Sequence, residues 1–175
     1  TPEGVAETVH LLAATGAAGL SIEDWDRANG TDPIDVATAR VTAATEAARQ
    51  HGMVITARAE NHIRGNPDLD DTIARLQSYR DQGAECLYAP GLVDLDEIAR
   101  LVREVAAPVN VLALPNGPSV GELASVGVRR VSTPSDRTRA RAFEARRLPT
   151  PPLAPKRAEL GPVAIMVTRS RSSIM

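Results

Sequence analysis

The stretch Ala17-Ala18-Gly19-Leu20-Ser21-Ile22-Glu23-Asp24-Trp25, with its later counterpart Val54-Ile55-Thr56-Ala57-Arg58-Ala59-Glu60, decides how the rest of the chain reads. Each is a short apolar run ending in charged residues, the pattern of a buried parallel strand whose C-terminal end opens into a site. Working outward, Thr1 as N-cap and Pro2 in the first helical turn start a helix that Val5, Val9, Leu12 and Ala13 stripe and Gly16 ends. A polar loop over Asp24–Asp35 follows, then an alanine-rich helix from Ile34 to Gln50 and a strand from Met53 to Arg58. A second polar loop, Ala59 to Pro67, leads to a helix opened by Asp68 and closed by Gly83.

The alternation continues with a strand Glu85–Tyr88, a helix from Asp94 through Val105, a strand Pro108–Leu112, a short helix from Ser119 to Val126 and a strand Gly127–Val131. An arginine-rich helix fades near Leu148. Strands separated by crossover helices predict a parallel sheet with right-handed connections. About five strands suit either an open doubly wound sheet, complete in itself, or an incomplete (β/α)8 TIM barrel; periodicity alone does not choose between them.

Composition narrows the function classes. Aromatics are confined to Trp25, Tyr79, Tyr88 and Phe143, so the core is built from Ala, Val, Leu and Ile, and a base-stacking nucleic-acid surface is not expected. The net charge of −2 gives no electrostatic reason for a polyanionic partner. That average hides a split: residues 1–135 hold eleven arginines against nineteen acids, residues 136–175 nine basic residues against three acids. The single cysteine, Cys86, fits a reducing compartment, and with no apolar run long enough to span a bilayer the expectation is a cytoplasmic protein without membrane contact. From Pro149 the prolines exclude helix and central strand over 149–155, so 1–147 reads as the folded part and 148–175 as a Pro/Arg-rich disordered tail, in which 161–167 could form a short strand.

Glu23 and Asp24 end the first strand, where parallel α/β folds place ligands; their oxygens suit Mg²⁺, typically through water, or else they are a solvated loop start or a cap on a nearby helix. Arg58 ends the next strand, with Glu60 two residues on. Its guanidinium could clamp a carboxylate or phosphonate, or form a structural ion pair with Glu60 or Glu23. His62 is a possible acid or base in the following loop, His10 and His51 read as structural, and Cys86 reads as a small buried side chain.

Taken together, Gly16 to Asp24, Ile55 to Glu60, Ala74 to Glu85, Pro108-Val109-Asn110-Val111 and Gly127 to Ser132 resemble the isocitrate lyase/phosphoenolpyruvate mutase family, collinearly to about residue 135. The resemblance implies a (β/α)8 barrel that uses Mg²⁺ to hold a 2-oxo acid, a phosphonate or an enolate while a neighbouring C–C or P–C bond is broken, formed or rearranged. By position it implies that Glu23 reaches the metal through water, that Arg58 is a catalytic and substrate-binding arginine, and that Glu60 and Asn110 are substrate-binding. Pro90, standing where the lyase branch tends to have a glutamate, points to the phosphonomutase-like branch. The family's metal-gripping aspartates and catalytic loop have no counterpart in this sequence, so the chain is expected to be inactive alone. A homo-oligomer is implied for the family at full length. The competing expectation is a non-catalytic open-sheet binding or interaction module.

Overall fold

The computed structural model describes residues 1–133 and the backbone of a strand at Ala164–Val167. Helix α1 (Pro2–Ala14) begins where expected, because the Thr1 hydroxyl accepts the Gly4 N–H. Strand β1 (Gly19–Glu23) leads into a small antiparallel hairpin, β2 (Trp25–Asp26) with β3 (Gly30–Thr31), in the segment expected to be plain loop. The Asp26 carboxylate folds that turn by accepting the N–H groups of Ala28 and Asn29. Next come α2 (Ile34–Arg49), β4 (Val54–Arg58), α3 (Leu69–Asp81), β5 (Cys86–Tyr88), α4 (Leu95–Val105), β6 (Val109–Leu112), α5 (Val120–Ser125), β7 (Arg130–Thr133) and β8 (Ala164–Val167). Aspartates at 68 and 94 cap α3 and α4, and a reciprocal Ser119–Glu122 capping box starts α5.

The main sheet is wholly parallel in the order β1-β4-β5-β6-β7-β8. Every crossover therefore advances in one direction. A doubly wound sheet needs a reversal in strand order, whereas unidirectional winding puts all helices on one face and curls the sheet as in a barrel. The topology thus decides what periodicity left open. Ile22, Ala57, Leu87 and Val109 share one register row and pack with Val41, Leu76, Ile98 and Leu101 of the helices.

The last parallel strand of the repeat starts later than expected, at Arg130 instead of Gly127. The N–H of Val128 is still bonded to Leu123 O at the end of α5, and Gly127 takes a positive φ of 93° to turn the chain. The arginine-rich helix expected before Leu148 and all of the expected 148–175 tail except Ala164–Val167 lie outside the described residues; at 164–167 the backbone pairs with β7. Among the described residues no helix is long and apolar enough to cross a membrane.

Candidate active site

Because side chains alternate along a strand, the residues out of phase with the apolar row all face away from the helices. One register row on that face is Glu23, Arg58, Tyr88, Asn110 and Arg130, one from each of five consecutive strands. Ser21, Thr56 and Cys86 lie two residues earlier, Ser132 two residues later. A polar band thus crosses the concave face of a sheet whose other face is apolar. A groove of about 870 Å³ runs beside β1, lined by Val5, Leu20, Ser21, Glu23, Trp25 and Val36.

At the strand ends Arg58 occupies the centre. Its Nε and Nη2 lie 2.8 and 2.5 Å from Glu60 Oε1, and its Nη1 lies 2.7 Å from Glu23 Oε1. Both ion pairs raised by the sequence are therefore present, and they differ in kind. Glu60 is 1% exposed and is held on its other oxygen by Arg64 at 3.2 Å, whereas the Glu23 side chain is 37% exposed. Burial pushes the Glu60 carboxyl above its ordinary value, against the opposing pull of Arg58. Arg64 also sits 3.6 Å over the Trp25 ring, which ties the β2–β3 hairpin to the loop after β4.

Asp24 does not share this opening. It is 2% exposed and accepts from Tyr79 Oη at 2.6 Å, Arg75 Nη1 at 3.1 Å and the Glu60 N–H at 2.8 Å. Burial, then the Asp24 charge, push the Tyr79 phenol up. Asp24 is thus neither a solvated loop start nor a cap on a helix N-terminus: through the Tyr79 and Arg75 side chains it ties a strand end to α3. His62 is half-buried, and its Nδ1 has no partner among the described residues. His10 Nδ1 meets His51 Nε2 at 2.8 Å where α1 lies on α2, and Cys86 is buried with its thiol pushed up by burial.

Asn110 is 1% exposed and bonded within the band, its Oδ1 accepting from Arg130 and its Nδ2 donating to Ser132. Tyr88 links this group to the strand-end cluster: the Arg58 guanidinium lies 5.1 Å from its ring centroid, and Asn110 is its register partner on β6. Tyr88, Arg130 and Ser132 were not among the residues singled out from the sequence. Strict alternation carried across from Arg58 would have found Tyr88, and the β6–β7 register, which sets Asn110 opposite Arg130, is what puts Arg130 and Ser132 on the same face.

The three acids at this mouth offer a metal little. Asp24 and Glu60 are buried and engaged, Glu23 alone faces outward, and among the described residues no three His, Cys, Asp or Glu side chains gather as a metal site. A directly held Mg²⁺ does not fit this donor set; an outer contact from Glu23 through water does.

Residues 1–148 match the family model described as phosphoenolpyruvate phosphomutase. An uncharacterized Mycobacterium tuberculosis protein is 35% identical over 135 residues, covering 77% of this chain and 50% of its own length. A structure described as a lyase/mutase from Burkholderia cenocepacia superposes with a TM-score of 0.73 at 47% identity, covering 82% of this chain and 52% of that one. Oxaloacetate acetylhydrolase in complex with its product oxalate gives a TM-score of 0.69 at 28% identity, over 82% of this chain and 52% of that one. The chain thus spans about half the length of the curated relatives it matches.

Proposed function

Because the chain belongs to the phosphoenolpyruvate phosphomutase family, we propose that it carries the substrate-binding strands of a Mg²⁺-dependent lyase or mutase acting on a 2-oxo acid, a phosphonate or an enolate. The reaction breaks, forms or rearranges a C–C or P–C bond beside the oxo group. The observation that carries this reading is the asymmetry of Arg58. Glu60, buried and doubly paired, fixes the guanidinium plane through Nε and Nη2. Among the described residues Nη1 is held only by the outward-facing Glu23, and an ion pair open to solvent contributes little. An acid group of the substrate can therefore exchange with Glu23 at Nη1 without disturbing the rest of the clamp.

That exchange has two chemical consequences. The acid group of the substrate gains a fixed positive partner that steadies the anion as further negative charge develops on the neighbouring oxo oxygen, and the Glu23 carboxylate is released toward solvent, where it can accept from metal-bound water. Mg²⁺, when bound, would add Lewis-acid stabilisation of the enolate. The described residues offer it no direct carboxylate set, so the chain by itself is assigned anion binding with little turnover. Asn110, further down the same face, is assigned a polar contact to the substrate, and Glu60 the orientation of Arg58.

Oxalate, a planar dianion shaped like an enolate of pyruvate, is the probe for this reading. Titration of the 175-residue chain by calorimetry is expected to show saturable, weak binding that Mg²⁺ changes little. Tight binding that appears only with Mg²⁺, or turnover of oxaloacetate by the chain alone, would overturn the assignment of a site that binds the anion but not the metal.

A further inference from the structure

On the reading that Arg58 receives an acid group of a 2-oxo acid, we propose that Arg64 is a positioning residue for that site: seated on the Trp25 ring, it takes one oxygen of Glu60 and so leaves Arg58 both oriented and with charge to spare for the substrate. Arg58 Nε and Nη2 close on Glu60 Oε1 at 2.8 and 2.5 Å, while Arg64 Nη2 lies 3.2 Å from Oε2. Each oxygen of the carboxylate thus has its own arginine, and Glu60 cannot turn its second oxygen to Arg58 without leaving Arg64. The charges point the same way. Arg58 with Glu60 alone would be a neutral pair with little pull on an anion. A second guanidinium on Glu60 leaves the group of three with one positive charge, which Glu23 answers at Nη1 and which an acid group of the substrate would answer in its place.

Arg64 is built into this position from three sides. Its own N–H bonds back to the Glu60 carbonyl at 3.0 Å, a turn that brings side chains four residues apart together. Asn61, 1% exposed, anchors that turn to the start of α3, its Nδ2 donating to Asp68 O at 3.2 Å and Asp71 Oδ2 at 3.1 Å. From the β2–β3 hairpin, the Trp25 ring takes the guanidinium carbon at 3.6 Å. The Arg64 side chain is still 38% exposed, so what holds it is the ring and the carboxylate rather than burial.

Two other roles are open to an arginine at this mouth: attracting the anion through space, or supporting the fold alone. Oxalate affinity of the 175-residue chain, measured by calorimetry in a double-mutant cycle with urea unfolding of each variant alongside, separates them. Arg64→Met is expected to weaken oxalate about tenfold. Trp25→Leu, which leaves the charge but frees the guanidinium, should weaken it about threefold, and Arg64→Lys, which keeps a cation for both Glu60 and the ring, less than about twofold. In a Glu60→Gln background Arg64→Met should change affinity by less than about twofold, because no carboxylate is left to share. Should Arg64→Met fail to fold, Trp25→Leu with and without Glu60→Gln makes the same comparison. An equal loss in the two backgrounds would mean that Arg64 attracts the anion through space, and unchanged affinity in the folded Arg64 and Trp25 variants would mean that it supports the fold alone. Either result would overturn the positioning role and leave the proposed function standing. No oxalate binding by the wild-type chain would overturn the proposed function, and the role of Arg64 with it.

Discussion

Asp24 holds three segments on one carboxylate: α3 through Tyr79 and Arg75, the loop after β4 through the Glu60 N–H, and β1 through its own position. Replacing it by Asn keeps the shape but removes the charge opposite a largely buried Arg75 and sets an amide N–H₂ against donors. Asp24→Asn is expected to destabilise the chain by about 3 kcal/mol in urea unfolding; a loss under about 1 kcal/mol would mean that the pair is dispensable. Glu60 gives a pH signature. Its folded pKa lies above the ordinary 4.5, so between the two values the folded state binds the extra proton. Stability from this group is then full below the ordinary value and is lost as pH rises through the folded one. The wild-type stability minus that of Glu60→Gln should fall as pH rises from 4.5 upward, and a difference that grows with pH would contradict the burial argument. The Glu60–Arg58 pair was legible in the sequence as two charges two residues apart, whereas the role of Asp24 was not, because Tyr79 and Arg75 lie more than fifty residues from it and only the folded sheet brings them together.

At the level of elements, β1 and β4 meet closely enough that Gly19 has a steric reason. A Cβ there would stand 2.5 Å from the Val54 carbonyl oxygen, a backbone atom that cannot step aside. Gly19→Ala is expected to cost about 1–3 kcal/mol and to loosen the pairing that sets Glu23 opposite Arg58. Hydrogen exchange of the β1 and β4 amides would show it, and unaltered protection would count against the close approach. The two strands carrying Glu23 and Arg58 were readable, since an apolar run that ends in charge marks a buried strand with an open end. The short β2–β3 hairpin was not, because an Asp26 side chain and two bridge pairs make it, with no apolar alternation to announce it. The late start of β7 was hidden likewise: Gly127-Val128 is apolar enough to read as strand, yet its N–H groups finish α5.

For the whole molecule, unidirectional winding divides the sheet into an apolar face under the helices and a polar band on the other side. That division puts Glu23, Arg58 and Asn110 in one row on the polar side, where the proposed substrate site lies. The account rests on Glu23 and Arg58 being partners that a substrate separates, and two substitutions on opposite sides of that pair test it most directly. Oxalate affinity of the 175-residue chain without Mg²⁺ is the measurement. Arg58→Ala should abolish binding, while Glu23→Gln, which removes the competing carboxylate from Nη1, should tighten it. Equal weakening by both substitutions, or binding by Arg58→Ala as strong as the wild type, would contradict the account.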